Sequence, residues 1–83
     1  MAEAMIHIVD DDAAIRDSLS FLLEAEGFTS RTYESAQALL ARAGALEDGC
    51  IITDVRMPEK SGLELVAELN GIGITLPVIV LTG

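Results

Sequence analysis

The chain has 83 residues, enough for one small domain, and 51% of them are hydrophobic while 23% are charged. This composition favours a globular protein over a disordered one. No apolar run reaches the roughly 18 residues that a membrane span needs, and the start lacks the basic segment of a secretory signal. We therefore expect a single soluble, cytoplasmic domain over residues 1–83.

Fourteen acidic residues against five basic ones give the chain a net charge of −9. Phosphate backbones and anionic membranes would repel such a surface, so we expect this chain by itself to bind neither nucleic acid nor membranes. The acidic excess has two explanations, and the sequence leaves both open. One is simple solubility, and the other is a cluster of carboxylates that binds a cation.

The first half of the chain predicts two strands, each followed by a helix. Residues 5–9 are a short apolar run typical of a buried strand, and a helix follows from about residue 13. Residues 28–33 predict a more polar edge strand, after which Ser35 caps a helix that we expect to end at Gly44. The apolar residues of the first helix repeat at helical spacing: Ile15, Leu19, Leu22 and Leu23.

The second half continues the alternation. Residues 50–53 predict a third strand that ends at Asp54, and the next helix is expected from about Ser61. Pro77 precedes the last strand, residues 78–82, at a position where proline is tolerated. Strands alternating with helices predict an α/β fold, a parallel sheet with helices on both faces. The inward residues of the third helix are expected to be Leu63, Val66 and Leu69.

Polar residues end three of the four predicted strands. Asp10 and Asp11 follow the first strand, Asp54 ends the third, and Thr82 ends the fourth. Ligands bind such sheets beyond the carboxyl ends of the strands, so these carboxylates converge if the first and third strands are neighbours. Clustered carboxylates need a cation or a proton, and an all-oxygen donor set favours Mg²⁺. A carboxylate can also attack phosphorus to give an aspartyl phosphate, to which a threonine hydroxyl could donate a hydrogen bond.

Each of these residues also has a purely structural interpretation. Consecutive aspartates before a helix often serve as caps, which we favour for Asp12 and leave open for Asp10 and Asp11. Taken alone, Asp54 would be a turn former and Thr82 a strand-end hydroxyl. Their joint placement at successive strand ends favours a functional site.

The combined pattern resembles the receiver domain of two-component response regulators, and FixJ-like receivers in particular. The resemblance runs from the acidic pair after residues 6–9, through Thr53-Asp54-Val55-Arg56-Met57-Pro58 and Gly62, to Thr82-Gly83. It implies a flavodoxin-like, doubly wound parallel sheet with strand order 2-1-3-4. It also implies a signalling module that assists its own phosphorylation and dephosphorylation and is not a separate turnover enzyme.

The resemblance implies a role for each matching residue. Asp54 would accept the phosphoryl group from a sensor histidine kinase. Asp11 and Asp54 would ligate Mg²⁺ together with the backbone carbonyl of Arg56, while Asp10 would act largely through water. Thr82 would be the switch hydroxyl that moves toward the phosphoryl group.

The family pattern also contains parts that we expect this chain to lack, because its sequence ends at Gly83. These are a fourth helix, a fifth strand ending in an invariant lysine, and a fifth helix. Lys60 lies in the loop after the third strand and does not match that lysine. Residues 78–82 would then form an uncovered hydrophobic edge strand, so we expect self-association or exchange of elements through it.

Two other functions compete with the phosphoacceptor. A receiver-derived module could bind partners or itself without phosphorylation. A haloacid-dehalogenase-type phosphatase also uses a strand-end aspartate and Mg²⁺, but it needs a second aspartate at the position that Arg56 occupies. Pro58 and Gly62 are interpreted as turn and packing residues, and His7 as structural.

Overall fold

A computed structural model describes residues 4–57 and 60–81, and in these ranges strands alternate with helices along the chain. The helices are preceded by strands in the predicted order, with a short 3₁₀ turn, Ala43–Ala45, before the third strand. The longest helix has 13 residues, and none in the described ranges is long and apolar enough to cross a membrane. The elements are β1 Met5–Val9, α1 Ala13–Ala25, β2 Thr29–Tyr33, α2 Ala36–Leu40, β3 Gly49–Asp54, α3 Gly62–Gly71 and β4 Val78–Leu81.

The four strands form one parallel sheet in the order β2-β1-β3-β4, as predicted. Val9, the last residue of β1, pairs with Tyr33 on one side and with Thr53 on the other. Asp54 in turn pairs with Leu81 of β4. Because parallel strands end at the same edge of a sheet, the register places the residues that follow β1 next to the end of β3.

The helix starts follow from local capping, and the sequence predicted them correctly. The side chain of Asp12 accepts a hydrogen bond from the Ala14 amide and caps α1. Ser35 caps α2 through the Ala38 amide. Ser61 begins α3 with a reciprocal capping box, in which it exchanges hydrogen bonds with Glu64. Each cap satisfies amide groups that a helix leaves without an internal partner.

The second helix is shorter than predicted. It ends at Leu40 instead of extending to Gly44, and the chain tightens into the 3₁₀ turn Ala43–Ala45. The amide of Arg42 already donates to the carbonyl of Leu39, three residues back, which is a 3₁₀ pattern. A glycine within a helix costs about 1 kcal/mol relative to alanine, so this segment has little to gain from a further helical turn.

The main core lies between one face of the sheet and helices α2 and α3. Leu39, Leu65 and Leu69 pack there with Val9 and Ile51. The prediction that Leu63 points inward is wrong, since its side chain is 63% exposed while Leu65 is fully buried. The buried residues of α3 are spaced three and four apart from Gly62, which rotates Leu63 about 100° away from the core.

The opposite face of the sheet carries α1, which contacts β1 and β2. No residue of α1 is buried. Ile15 and Leu22, two of the apolar residues at helical spacing, are 41% and 60% exposed. In the described part of the chain β4 is an edge strand, and its residues Ile79 and Leu81 are also exposed.

Candidate functional site

Three carboxylates meet at the carboxyl edge of the sheet. Asp10 and Asp11 directly follow β1, and Asp54 is the last residue of β3. One oxygen from each of them lies within 4.8 Å of the others. The convergence predicted from the strand ends is therefore present in the structure.

The three side chains differ in their access to solvent. Asp10 is 3% exposed, Asp54 is half-buried and Asp11 is exposed. The Asp12 amide donates to Oδ1 of Asp10 at 2.9 Å, which fixes the orientation of the buried carboxylate. Asp10 is therefore the buried and oriented member of the cluster, and Asp11 is its solvent-exposed member.

Burial makes the ionised form of Asp10 costly. Loss of hydration raises its pKa above the ordinary value of 3.8, and the negative charges of Asp54, Asp11 and Asp12 raise it further, against the lowering effect of the Asp12 amide. The Arg16 guanidinium is close, but its Nη1 donates at 2.7 Å to the backbone carbonyl of Asp10 and not to the carboxylate. The cluster therefore carries an excess of negative charge that a bound cation would offset.

The donor set of this cluster fits a hard divalent cation. All three side chains offer oxygen, and the potential metal-binding cluster found among the described residues contains no sulfur or imidazole. Mg²⁺ and Ca²⁺ prefer such ligands, and Mg²⁺ commonly binds through one or two carboxylates while keeping several waters. An open edge with Asp10 buried and Asp11 exposed is compatible with a partly hydrated ion.

The loop after β3 is folded back onto Asp54. The amide of Arg56 donates to Oδ1 of Asp54 at 3.1 Å, and the amide of Val55 donates to the carbonyl of Leu81 at 3.0 Å. The amide of Gly62 closes the loop by donating to the Val55 carbonyl at 3.2 Å. One oxygen of the Asp54 carboxylate is thereby held by the protein.

Gly62 is buried against this end of the strand. A Cβ atom at this position would lie 2.6 Å from the Asp54 carbonyl oxygen and 3.1 Å from the Thr53 methyl group. Real side chains do not approach backbone oxygen so closely, and a glycine is therefore needed here. This agrees with the interpretation of Gly62 as a packing residue, while Pro58, given the same role, lies outside the described residues.

The remaining predicted site residues have different outcomes. Asp12 acts as a helix cap, as favoured from the sequence. The Arg56 amide faces the Asp54 carboxylate, while the assignment of the Arg56 carbonyl as a metal ligand stays a prediction. Thr82 lies outside the described residues. Lys60 forms an ion pair with Glu68 of α3.

Sequence reasoning missed Arg16. It lies four residues after the Asp12 cap, on the first turns of α1, and its side chain reaches back to the Asp10 carbonyl. With Asp11, Ser35, Met57 and others it also lines an open cleft of about 410 Å³ beside the carboxylates. An arginine one helical turn after the cap is a signal that could have suggested this contact.

Known proteins are similar to this chain over most or all of its length. Residues 6–83 match the response regulator receiver domain family. The transcriptional regulatory protein FixJ of Azorhizobium caulinodans is 53% identical over 78 residues, covering 94% of this chain and 37% of that protein. FixJ of Rhizobium meliloti is 43% identical over 83 residues, covering 100% of this chain and 41% of that protein. The chain therefore spans about two fifths of the length of these relatives.

Solved structures agree with the sequence comparison. The crystal structure of FixJ-N superposes with a TM-score of 0.94 at 43% identity, over 100% of this chain and 66% of that one. The response regulator StyR superposes with a TM-score of 0.92 at 34% identity, over 99% of this chain and 41% of that one. These matches confirm the predicted resemblance and the predicted fold.

The contact of Gly62 with β3 generates a prediction. Gly62→Ala is expected to lower the free energy of unfolding by about 1–3 kcal/mol, because the added methyl group must displace the Asp54 backbone. Gly71→Ala is the matched control on the same helix, where a Cβ would meet nothing within 4 Å. Urea denaturation of both variants measures the difference, and an equal effect at the two positions would contradict the close approach.

The raised pKa of Asp10 predicts the pH dependence of stability without metal. An acid whose pKa is raised on folding contributes stability below its ordinary value of 3.8, and that contribution is lost as the pH rises through the raised value. Asp10→Asn keeps an oxygen for the Asp12 amide and removes the charge. In the presence of a chelator the variant should be more stable than the wild type at neutral pH, and the difference should shrink on acidification below 3.8. A variant that is less stable at neutral pH in urea denaturation would argue against charge repulsion at this position.

Proposed function

Because the chain belongs to the response regulator receiver family of two-component signalling systems, we propose that it accepts a phosphoryl group on Asp54 in a reaction that uses Mg²⁺. The proposed donor is the phosphohistidine of a sensor histidine kinase. The observation that carries this proposal is the meeting of three carboxylates from the ends of β1 and β3, with one oxygen each within 4.8 Å of the others.

The geometry around Asp54 suits a nucleophile. One carboxylate oxygen accepts a hydrogen bond from the Arg56 amide, which orients the group and leaves the second oxygen for attack on phosphorus. The half-buried side chain remains reachable from solvent. In the proposed step a P–O bond to Asp54 forms, the P–N bond to the donor histidine breaks, and the imidazole leaves with the electron pair of that bond.

Asp11, Asp54 and the Arg56 carbonyl would hold the metal directly, with Asp10 acting largely through water. When bound, Mg²⁺ would neutralise phosphoryl oxygens and reduce the repulsion between the incoming group and the carboxylates. The buried Asp10, oriented by the Asp12 amide, would add negative charge to the site and attract the cation.

Thr82 is proposed as a hydroxyl donor to the phosphoryl group. Two observations support this assignment. Leu81, the preceding residue, pairs with Asp54 across β3 and β4, and its carbonyl accepts a hydrogen bond from the Val55 amide. The family match also extends through residue 83. The role of Thr82 would be to favour one arrangement of the β4 end after phosphorylation.

The second candidate function is an interaction module that associates without phosphorylation. Ile79 and Leu81 of β4 are exposed, and β4 is an edge strand of the sheet in the described part of the chain. An apolar edge strand offers unpaired backbone groups to another chain, so self-association or exchange of elements through residues 78–82 is proposed. The relatives named above are transcriptional regulatory proteins, but the net charge of −9 gives no support for contact between this chain itself and nucleic acid.

Phosphorylation is tested by intact-mass measurement after incubation with a small phosphodonor, with and without Mg²⁺. We expect the wild type to gain one phosphoryl group only when Mg²⁺ is present, because the carboxylates repel an uncompensated anion. Asp54→Asn should gain none, while Asp17→Asn, a change at an exposed aspartate on α1, should behave like the wild type. A folded wild type that gains no mass under any condition would contradict the proposal.

Self-association is tested by sedimentation velocity over a range of protein concentrations. We expect a concentration-dependent dimer that Ile79→Lys converts to monomer, because a charge on an exposed edge strand disfavours pairing. Leu63→Lys, at an exposed leucine on α3, should leave the dimer in place. A wild type that stays monomeric at every concentration would exclude self-association through this strand.

A further inference from the structure

A buried polar pair, His7 and Tyr33, links the first two strands of the sheet. His7 is fully buried in β1 and Tyr33, the last residue of β2, is 5% exposed. Nδ1 of His7 lies 2.9 Å from the Tyr33 hydroxyl. Nε2 of His7 lies 3.0 Å from the backbone carbonyl of Glu47, in the loop before β3. The pair thus connects β2, β1 and the start of β3.

The chemistry of the partners fixes the direction of these hydrogen bonds. A carbonyl oxygen only accepts, so Nε2 of His7 donates to Glu47. In the neutral imidazole Nδ1 is then the acceptor, and the Tyr33 hydroxyl donates to it. Burial raises the pKa of Tyr33, which keeps the hydroxyl protonated and able to donate. Both ring nitrogens and the hydroxyl are paired, as buried polar groups require.

Tyr33 is also tied to the cluster through its backbone. Its carbonyl oxygen accepts a hydrogen bond from the Asp10 amide at 3.2 Å, one residue past the paired position of Val9. Tyr33 therefore has two anchors, its hydroxyl on His7 and its carbonyl on Asp10. Movement of the ring would pull on the backbone from which the buried carboxylate projects.

We propose that His7 and Tyr33 are positioning residues for the cation site, which hold Asp10 in place through the Tyr33 carbonyl. The inference rests on the proposed function, because it assumes that the carboxylates bind Mg²⁺. Partners beyond the metal ligands orient those ligands, and removing them typically weakens metal binding by about 10–100-fold. The Tyr33 hydroxyl is separated from Asp10 by one further contact, so we expect its loss to weaken Mg²⁺ binding by about threefold to tenfold.

The chain offers a matched control on the same strand. Arg31 lies two residues before Tyr33 and forms an ion pair of 2.6 Å with Glu47, at the part of the network farther from Asp10. Arg31→Gln removes this contact and leaves the hydroxyl of Tyr33 on His7. Arg31→Gln therefore measures how much a disturbance of β2 alone lowers stability and Mg²⁺ affinity while the Tyr33–His7 hydrogen bond stays intact.

The test compares the Mg²⁺ dissociation constants of the wild type, Tyr33→Phe and Arg31→Gln by isothermal titration calorimetry. Tyr33→Phe should bind Mg²⁺ about threefold to tenfold more weakly, and Arg31→Gln should bind like the wild type. His7→Asn shortens the side chain that holds the Tyr33 hydroxyl, so it should also weaken Mg²⁺ binding, as expected of a positioning residue. A merely structural role would make the loss of affinity follow the loss of stability across the three variants, and that result would overturn the proposal.

Amide hydrogen exchange at Asp10 separates this inference from the proposed function. The Asp10 amide should exchange its hydrogen faster in Tyr33→Phe than in the wild type. In Arg31→Gln its exchange rate should be unchanged. If the wild type binds no Mg²⁺, the proposed cation site fails, and exchange alone then decides whether Tyr33 holds Asp10. Unchanged exchange in Tyr33→Phe, or an unchanged Mg²⁺ affinity in a folded Tyr33→Phe, would overturn the positioning role.

Discussion

Repulsion between three carboxylates at one edge of a parallel sheet is the constraint on which the rest of this structure depends. Asp10, Asp11 and Asp54 each bring an oxygen within 4.8 Å of the others. Two unit charges at that separation repel by roughly 3 kcal/mol at the effective dielectric constant of about 20 found near protein surfaces. The sheet register, in which Val9 lies beside Thr53, makes this approach unavoidable once β1 and β3 pair. A cation bound between the carboxylates would remove this repulsion, which would favour its binding.

Several contacts hold the three carboxylates in place despite the repulsion between their negative charges. The Asp12 amide and the Arg16 guanidinium fix the side chain and the backbone of Asp10, respectively. At the end of β3, the Arg56 amide donates a hydrogen bond to the Asp54 carboxylate. The absence of a side chain at Gly62 lets α3 pack directly against the Asp54 carbonyl. The cluster is therefore rigid where it is buried and open where a ligand would enter. Such preorganisation is what a site for metal-assisted phosphoryl transfer requires.

The sequence predicted the features that local chemistry determines. The bounds of β1, the caps at Asp12 and Ser35, and the strand-end acids follow from residue types over short windows. Features that depend on tertiary packing could not be read in the same way. Leu63 and Leu65 are both apolar residues on α3, and only the packing of Gly62 on β3 decides which of them is buried. His7 and Tyr33 are 26 residues apart, so their hydrogen bond leaves no local signal in the sequence.

The most direct test of the central claim is the shift in unfolding free energy that Mg²⁺ produces in the wild type and in Asp11→Asn. Binding to the folded state alone adds about 1.4 kcal/mol at ten times the dissociation constant. We expect Mg²⁺ to stabilise the wild type in this way, and Asp11→Asn, a change at an exposed carboxylate outside the core, to lose most of the effect. Equal stabilisation of both proteins, or none in the wild type, would show that the three carboxylates do not form a cation site.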